Sequence, residues 1–169
     1  MSQPFSGGIA FPHDVENKAA TSALPIENFT PARLVIPLRQ GFGAACVPVV
    51  DVGQTVKKGQ LVGRPSEDGG TPVHCGISGT VRALSPMPVI GGEEVLCVTV
   101  ENDSFHTPEA PLSWNNTPEG IVCLMADAGL VGMGGAGFPT AVKFSTDKPI
   151  HQVLINGCRS EEHTSELQS

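Results

Sequence analysis

The sequence predicts a mainly β domain of short strands and tight turns, followed by the start of a second domain that opens with a helix. The 169-residue chain contains 20 glycines and 15 prolines, a composition that suits tight turns and disfavours a helical bundle or a coiled coil. Apolar residues make up 40% of the chain and charged residues only 16%. We therefore expect a packed core rather than a disordered chain.

Charge and hydropathy exclude two classes of partner. The net charge is −7 and no basic run is present, so binding of a nucleic-acid backbone is not expected. The start of the chain has neither the charged region nor the apolar region of an export signal. Residues 121–142 contain one charge, Asp127, but five glycines and Pro139 interrupt them. These breaks argue against a membrane-spanning helix, and we expect no transmembrane segment.

The cysteines and histidines predict no metal site and no catalytic residue. The five cysteines form no CxxC pair, and with no export signal they are typical of reduced thiols that pack as small apolar residues. They are Cys46, Cys75, Cys97, Cys123 and Cys158. The five histidines are scattered, so local spacing assembles no zinc or iron–sulfur ligand set.

A compact β unit is predicted for residues 33–101, after an extended arm at 1–32. Its short β-rich runs, separated by Gly, Pro or Asp turns, are LVIPL, CVPVVDV, QLVGR, TPVHC, GTVRAL and EVLCVTV. A polar, proline-broken linker is predicted for residues 102–116.

The β unit resembles the barrel-sandwich hybrid fold of lipoyl and biotinyl carrier domains. Residues 52–62, VGQTVKKGQLV, indicate two strands with a glycine-assisted reversal, and SGTVRAL repeats the pattern about twenty residues later. Carrier domains present a modifiable lysine at a hairpin tip, whereas residues 65–70, PSEDGG, contain none. A swinging-arm carrier is therefore disfavoured, and we expect Lys57 and Lys58 to be solvated turn residues.

A helix start marks the second domain, which we place at residues 117–158. Thr117 is a suitable N-cap, Pro118 suits the first helical position, and Glu119 lies in the first turn. Gly129 suits the left-handed position that follows a helix.

The glycine-rich segment after this helix matches a dinucleotide fingerprint only formally. The spacing from Gly132 to Gly137 is correct, but a helix rather than a strand precedes it and Pro139 follows at once. The acidic residue expected about twenty positions later is absent, and no Gly-Lys-Ser/Thr follows. The sequence therefore excludes both a Rossmann fingerprint and a P-loop.

Clustered glycines expose backbone N–H groups and remove Cβ atoms, so a flat ring or a phosphate can lie against the chain. The candidate binding residues are Gly132, Gly134, Gly135, Gly137, an apolar wall at Phe138, a cation at Lys143, and Asn156 after a predicted strand, HQVLIN. The alternative is a glycine-rich turn that only lets a helix and a strand pack. Spacing alone leaves both interpretations open.

A resemblance to a known family favours the binding interpretation. AGLVGMGGAGFPTAVKF followed by LING looks like the flavin-binding loop shared by the NADH-oxidising subunit of respiratory complex I and the C subunit of the Rnf electron-transport complex. The preceding segments FSGGIAFP, LVIPLRQGFGA, VGQTVKKGQLVG and TPVHCGISGTV are similar to the opening of the Rnf C subunit. The resemblance covers about residues 5–158, and it implies the start of an α/β flavin- and NADH-binding domain after the barrel-sandwich domain.

The resemblance implies a function and a set of cofactors. Complete members look like NADH-facing flavoproteins in which FMN exchanges hydride with NAD(H) and passes single electrons to Cys-ligated [4Fe–4S] clusters. They work with the other Rnf subunits in ion pumping, which implies a peripheral position on the cytoplasmic side of the inner membrane. By this resemblance the four glycines and Phe138 would line FMN, Lys143 would meet its phosphate, and Asn156 its edge.

Two alternatives stay open, and the chain departs from the family in places. The alternatives are a non-enzymatic lipoyl-like docking module with a glycine-rich hinge, and a flavoprotein similar to cobalamin reductase. The family usually has histidines where this chain has Ala10 and Gly41, while His74 matches and is expected to be structural. Residues 159–169, RSEEHTSELQS, are identified as a translated sequencing adapter. We expect the natural chain to continue beyond Cys158, and the present chain to be inactive alone.

Overall fold

The computed structural model describes residues 24–25, 27–90, 92–133, 137–146 and 148–152. The chain divides into two units, residues 1–31 and residues 32–169, and every element below belongs to the second. The elements of the described residues are β1 (Arg33–Pro37), β2 (Val47–Pro48), β3 (Thr55–Val56), β4 (Leu61–Arg64), β5 (Val73–His74), β6 (Gly79–Pro88), β7 (Glu94–Asn102), α1 (Pro118–Asp127) and α2 (Thr140–Phe144). Each of the six β-rich runs identified in the sequence overlaps one of these strands.

The strands form two antiparallel sheets that share one core. The larger sheet has the order β1-β7-β6-β3 and the smaller one the order β2-β4-β5. Both sheets contribute to one cluster of buried, mostly β-branched side chains, which includes Ile36, Val56, Val62, Val73, Val81, Val98 and Val100. Burial of these alternating side chains stabilises the β unit, because apolar surface leaves water on both inner faces.

The turns of the β unit follow the local sequence. Ser66 and Gly69 exchange two backbone hydrogen bonds of 3.1 Å and close the hairpin between β4 and β5. The connection at residues 65–70 is therefore a hairpin, as predicted, and its sequence contains no lysine. The turn after β3 is closed by the Gln60 amide, which donates to the Lys57 carbonyl oxygen at 3.1 Å. Gly59 supplies a φ of +90° in this turn, where a Cβ atom would be strained.

The segment predicted as a linker returns to the β unit. The Lys58 amide donates to the Thr107 carbonyl oxygen at 2.9 Å, and the Glu109 amide donates to the Lys58 carbonyl oxygen at 2.8 Å. The Lys57 ammonium group also lies 3.6 Å from a Glu109 carboxylate oxygen. These contacts tie residues 107–109 to the turn after β3, and the domain boundaries at 101 and 117 stay a prediction.

Helix α1 begins and ends as its sequence predicts. The Thr117 side chain accepts a hydrogen bond of 3.0 Å from the Gly120 amide, and Pro118 occupies the first helical position. At the other end Gly129 has a φ of +66°, and its amide donates to the Ala126 carbonyl oxygen. The Leu130 amide donates to the Met125 carbonyl oxygen, which completes a Schellman motif.

Two sequence predictions fall partly or wholly outside this description. Residues 1–23 and 26 of the predicted arm, and the whole tail at 159–169, lie outside the described residues. Within the described ranges, neither helix has the length and apolarity that crossing a membrane requires.

Candidate functional site

The glycine loop has a closed base. The Gly132 amide donates to the Phe138 carbonyl oxygen at 2.9 Å, and the Thr140 amide donates to the Leu130 carbonyl oxygen at the same distance. Val131 and Pro139 form an antiparallel bridge between these two hydrogen bonds. The glycine loop therefore starts and ends at one short antiparallel pair, Val131 and Pro139, which lies between the end of α1 and the start of α2.

Lys143 places a cation over this loop. Its Nζ atom lies 5.9 Å from the centre of the Phe138 ring, within the range of a cation–π contact. It also lies 3.1 Å from the point where a Cβ atom on residue 132 would stand. Among the described residues no carboxylate forms an ion pair with this ammonium group. Lys143 is therefore available to an anion that lies against the glycine loop.

Three residues of the glycine loop determine what could lie against it. Gly132 has no side chain, and this lets the Lys143 ammonium group lie close to the backbone there. Gly137 has a φ of +70°, which a residue with a Cβ atom adopts only with strain. Phe138 is 38% exposed and presents part of its ring beside the same surface. A phosphate near Lys143 and a ring along the loop are compatible with these positions.

The structure brings together four of the seven residues that the sequence suggested for binding. These are Gly132, Gly137, Phe138 and Lys143. Gly134, Gly135 and Asn156 lie outside the described residues. The strand predicted for residues 151–156 is described only at its first two residues, which have no regular structure.

Sequence reasoning missed a contribution from the β unit. The Phe42 ring lies 5.5 Å from the Phe138 ring, centre to centre, with an angle of 46° between the two planes. Gly41 lies beside Gly137, with its Cα atom 3.1 Å from the position of a Cβ atom on residue 137. The signal available in the sequence is a phenylalanine flanked by two glycines, Gly41 and Gly43, between two β-rich runs.

The buried thiols and His74 belong to the β unit and not to the glycine loop. Burial raises the pKa of the Cys46, Cys75 and Cys97 thiols, and each donates a hydrogen bond to a backbone carbonyl oxygen. Burial also lowers the pKa of His74 in β5. In the described ranges no three His, Cys, Asp or Glu residues form a group that could hold a metal ion.

Comparison with known families assigns both parts of the chain. The family model described as "RnfC Barrel sandwich hybrid domain" matches residues 3–105, and the one described as "Nuo51 FMN-binding domain" matches residues 125–166. The first match confirms the predicted barrel-sandwich fold and covers the β unit, which argues against the alternative similar to cobalamin reductase. The second match extends to residue 166 and so includes part of the tail at residues 159–169. The identification of this tail as a translated sequencing adapter stays a prediction.

Curated relatives resemble the chain along almost its whole length. The C subunit of the Na(+)-translocating ferredoxin:NAD(+) oxidoreductase complex of Acetobacterium woodii is 35% identical over 94% of this chain, and 37% of the relative is covered. The C subunit of the ion-translocating oxidoreductase complex of Pseudomonas aeruginosa is 34% identical over 95% of the chain and 22% of the relative. The C subunit of the proton-translocating ferredoxin:NAD(+) oxidoreductase complex of Clostridium ljungdahlii is 32% identical over 96% of the chain and 37% of the relative.

This chain spans well under half the length of these three relatives. Its two domain matches nevertheless occur in the order that the sequence predicts, with the barrel-sandwich domain before the glycine loop. The first of them alone covers more than half of the chain. The chain therefore belongs to the RnfC family, the C subunits of Rnf complexes, with that family's barrel-sandwich hybrid domain followed by the start of a Nuo51-type FMN-binding domain.

Proposed function

We propose that the chain is the N-terminal part of the NADH-facing electron-transfer subunit of a membrane ion-translocating ferredoxin–NAD oxidoreductase, and that its glycine loop helps to hold FMN. One observation carries the proposal. The ammonium group of Lys143 overhangs Gly132 beside the Phe138 ring, without a carboxylate partner among the described residues. All three residues lie in the segment that matches an FMN-binding domain.

Each proposed role follows from the chemistry of the residue. Lys143 neutralises the phosphate group of FMN, because a free ammonium is a strong donor to phosphate oxygens. Gly132, together with Gly134 and Gly135 by resemblance, would let the flavin approach the backbone, while Gly137 supplies the left-handed φ and the room that Gly41 needs. The Phe138 ring excludes water from one side of the site. By resemblance, Asn156 offers its amide to the edge of the flavin.

In this proposal the cofactor supplies the electron chemistry and the protein supplies binding and orientation. FMN supplies the exchange between two-electron hydride chemistry and single-electron transfer, which amino-acid side chains do not provide. The chain's own residues would bind and orient it: the missing side chain at Gly132 would leave room for the ring, and the Lys143 ammonium group would hold the phosphate end. We assign no catalytic acid or base.

The wider setting is proposed by analogy with the relatives. Their names describe subunits of ion-translocating complexes, two of which act between ferredoxin and NAD(+). We therefore propose NAD(H) as the substrate and the other Rnf subunits as partners. We also propose [4Fe–4S] clusters in parts of the relatives' length that this chain does not span, and a peripheral position on the cytoplasmic side of the inner membrane.

The source DNA and the flavin content of its product test the proposal together. We expect the reading frame to continue past the Cys158 codon into an acidic stretch that contains Cys and Pro, and later into CxxCxxC motifs. Full-length protein purified from this gene should release FMN, identified by chromatography after denaturation. A stop codon soon after Cys158, with a product that binds no flavin, would instead support the non-enzymatic docking module with a glycine-rich hinge.

A further inference from the structure

Residues 39–45 of the barrel-sandwich domain form a loop that contacts the glycine loop. This barrel loop is closed at its base, where the Cys46 amide donates to the carbonyl oxygen of the fully buried Leu38 at 2.8 Å. Cys46 also donates from its Sγ atom to the Thr71 carbonyl oxygen at 3.0 Å. The barrel loop therefore starts and ends on residues that are fixed in the core.

The middle of the barrel loop is held by backbone packing. A Cβ atom on Gly70 would lie 2.7 Å from the Ala44 carbonyl oxygen, and one on Gly43 would lie 3.1 Å from the Gly70 Cα atom. Real Cβ contacts are seldom this close, so the two backbones approach each other only because these residues are glycines. The barrel loop therefore packs against the Gly70 backbone, and this contact fixes the chain next to Phe42.

The front of the barrel loop meets the glycine loop. Gly41 approaches Gly137 backbone to backbone, and the Phe42 ring packs on the Phe138 ring at 5.5 Å. A cavity of about 60 Å³ lies at this junction, lined by residues of both loops and by Thr71 and Pro72. The Phe138 ring is therefore in contact range of two side chains, the Phe42 ring and the Lys143 ammonium group.

We propose that Phe42 is a positioning residue for the flavin site, which holds the Phe138 ring and thereby keeps the glycine loop in the shape that accepts FMN. This inference rests on the proposed function for its ligand, but the contact between the two loops exists without any ligand. Phe42 is 57% exposed, so it is not part of the barrel-sandwich core. Its ring packs on the Phe138 ring, which lines the proposed flavin site. The barrel domain is then a part of the cofactor site and not only a neighbouring module.

Hydrogen exchange in the present chain tests the structural half of the inference. Phe42→Ala should speed exchange of the Gly132 and Thr140 amides, whose hydrogen bonds close the base of the glycine loop, while Phe42→Tyr, which keeps the ring, should restore their protection. Phe105→Ala is the matched control, since Phe105 is 82% exposed and forms no ring pair among the described residues. Unchanged exchange of the Gly132 and Thr140 amides in Phe42→Ala would overturn the inference, even if the full-length protein bound no FMN.

FMN titration of the full-length protein tests the functional half. An aromatic pair of this kind corresponds to an effect of about threefold to tenfold on a binding constant, so Phe42→Ala should weaken FMN binding by that factor. Phe42→Tyr should bind like the wild type, and Phe42→Ala should add nothing in a Phe138→Ala background. Equal FMN affinity in Phe42→Ala and the wild type would refute the positioning role and leave the proposed function standing. Failure of the wild type to bind FMN would refute the proposed function alone.

Discussion

Gly129 packs directly against the carbonyl oxygen of Pro72, so that a Cβ atom on residue 129 would overlap this oxygen. Gly129 ends α1, and Pro72 comes immediately before β5 in the barrel-sandwich domain. The C-terminal end of α1, which leads into the glycine loop, therefore packs on the barrel-sandwich domain through a close backbone contact. The same residue supplies the φ of +66° that turns the chain from α1 into the glycine loop.

Gly129→Ala should destabilise the chain strongly. The substitution combines a strained left-handed backbone with overlap on Pro72, and we expect a loss of about 3 kcal/mol in the free energy of unfolding. Gly53→Ala is the control, because Gly53 has a φ of +92° but no atom within 4 Å of its Cβ position. That control should lose only about 1 kcal/mol. Urea unfolding followed by circular dichroism measures both, and equal losses would contradict the seating of α1 on Pro72.

The cap of α1 gives a second stability prediction. Thr117→Ala removes the acceptor for the Gly120 amide, which should cost about 1 kcal/mol and reduce the helical signal in far-UV circular dichroism. Thr117→Ser keeps the acceptor oxygen and should behave like the wild type. If both variants lost stability equally, the contribution would come from the methyl group of Thr117 and not from its hydrogen bond.

Asp103 predicts a pH dependence on the acid side. The Ser78 hydroxyl donates to its carboxylate at 2.7 Å, and this bond, followed by the Phe105 amide, lowers the pKa of Asp103 below its ordinary value of 3.8. Because the pKa is lower in the folded state, the stabilisation is present above pH 3.8 and is lost as the pH falls through the folded pKa. Ser78→Ala should raise the pKa of Asp103 in a carboxyl NMR titration.

Asp103→Asn provides the control for this pH dependence, since it keeps an acceptor oxygen but cannot titrate. Its unfolding midpoint should vary less with pH below about 4 than that of the wild type. A pKa of Asp103 that does not move in Ser78→Ala would show that the hydroxyl is not its main stabilising donor.

The thiols should react at different rates. Cys123 is exposed, whereas Cys46, Cys75 and Cys97 are buried and burial raises the pKa of each buried thiol. Since the thiolate is the reactive form, alkylation of the native chain at neutral pH should modify Cys123 at least about tenfold faster than these three. Peptide mass mapping over time measures the rates. Fast modification of Cys46 would mean that its contact with the Thr71 carbonyl oxygen opens readily.

Local patterns predicted the elements, because the causes of those elements are local. Short β-branched runs between glycines identified the strands, and the Thr117-Pro118 pair identified the start of α1. The contact between Phe42 and Phe138 joins residues that are far apart in the chain, and no periodicity in a single sequence encodes such a pair. The same holds for Gly41 and Gly137, whose close approach depends on how both loops are supported. Sequence reasoning therefore found the glycine loop but not the barrel loop beside it.

The proposed role of Lys143 and the glycine loop, which is to hold the phosphate end of FMN, can be tested by comparing two flavins. In the full-length protein, Lys143→Ala should weaken binding of FMN by about tenfold or more, because a charge-assisted bond to phosphate is lost. Binding of riboflavin, which lacks the phosphate, should be unchanged, and Lys148→Ala should alter neither affinity. An equal loss for both flavins, or no loss of FMN affinity in Lys143→Ala, would show that Lys143 does not bind the phosphate.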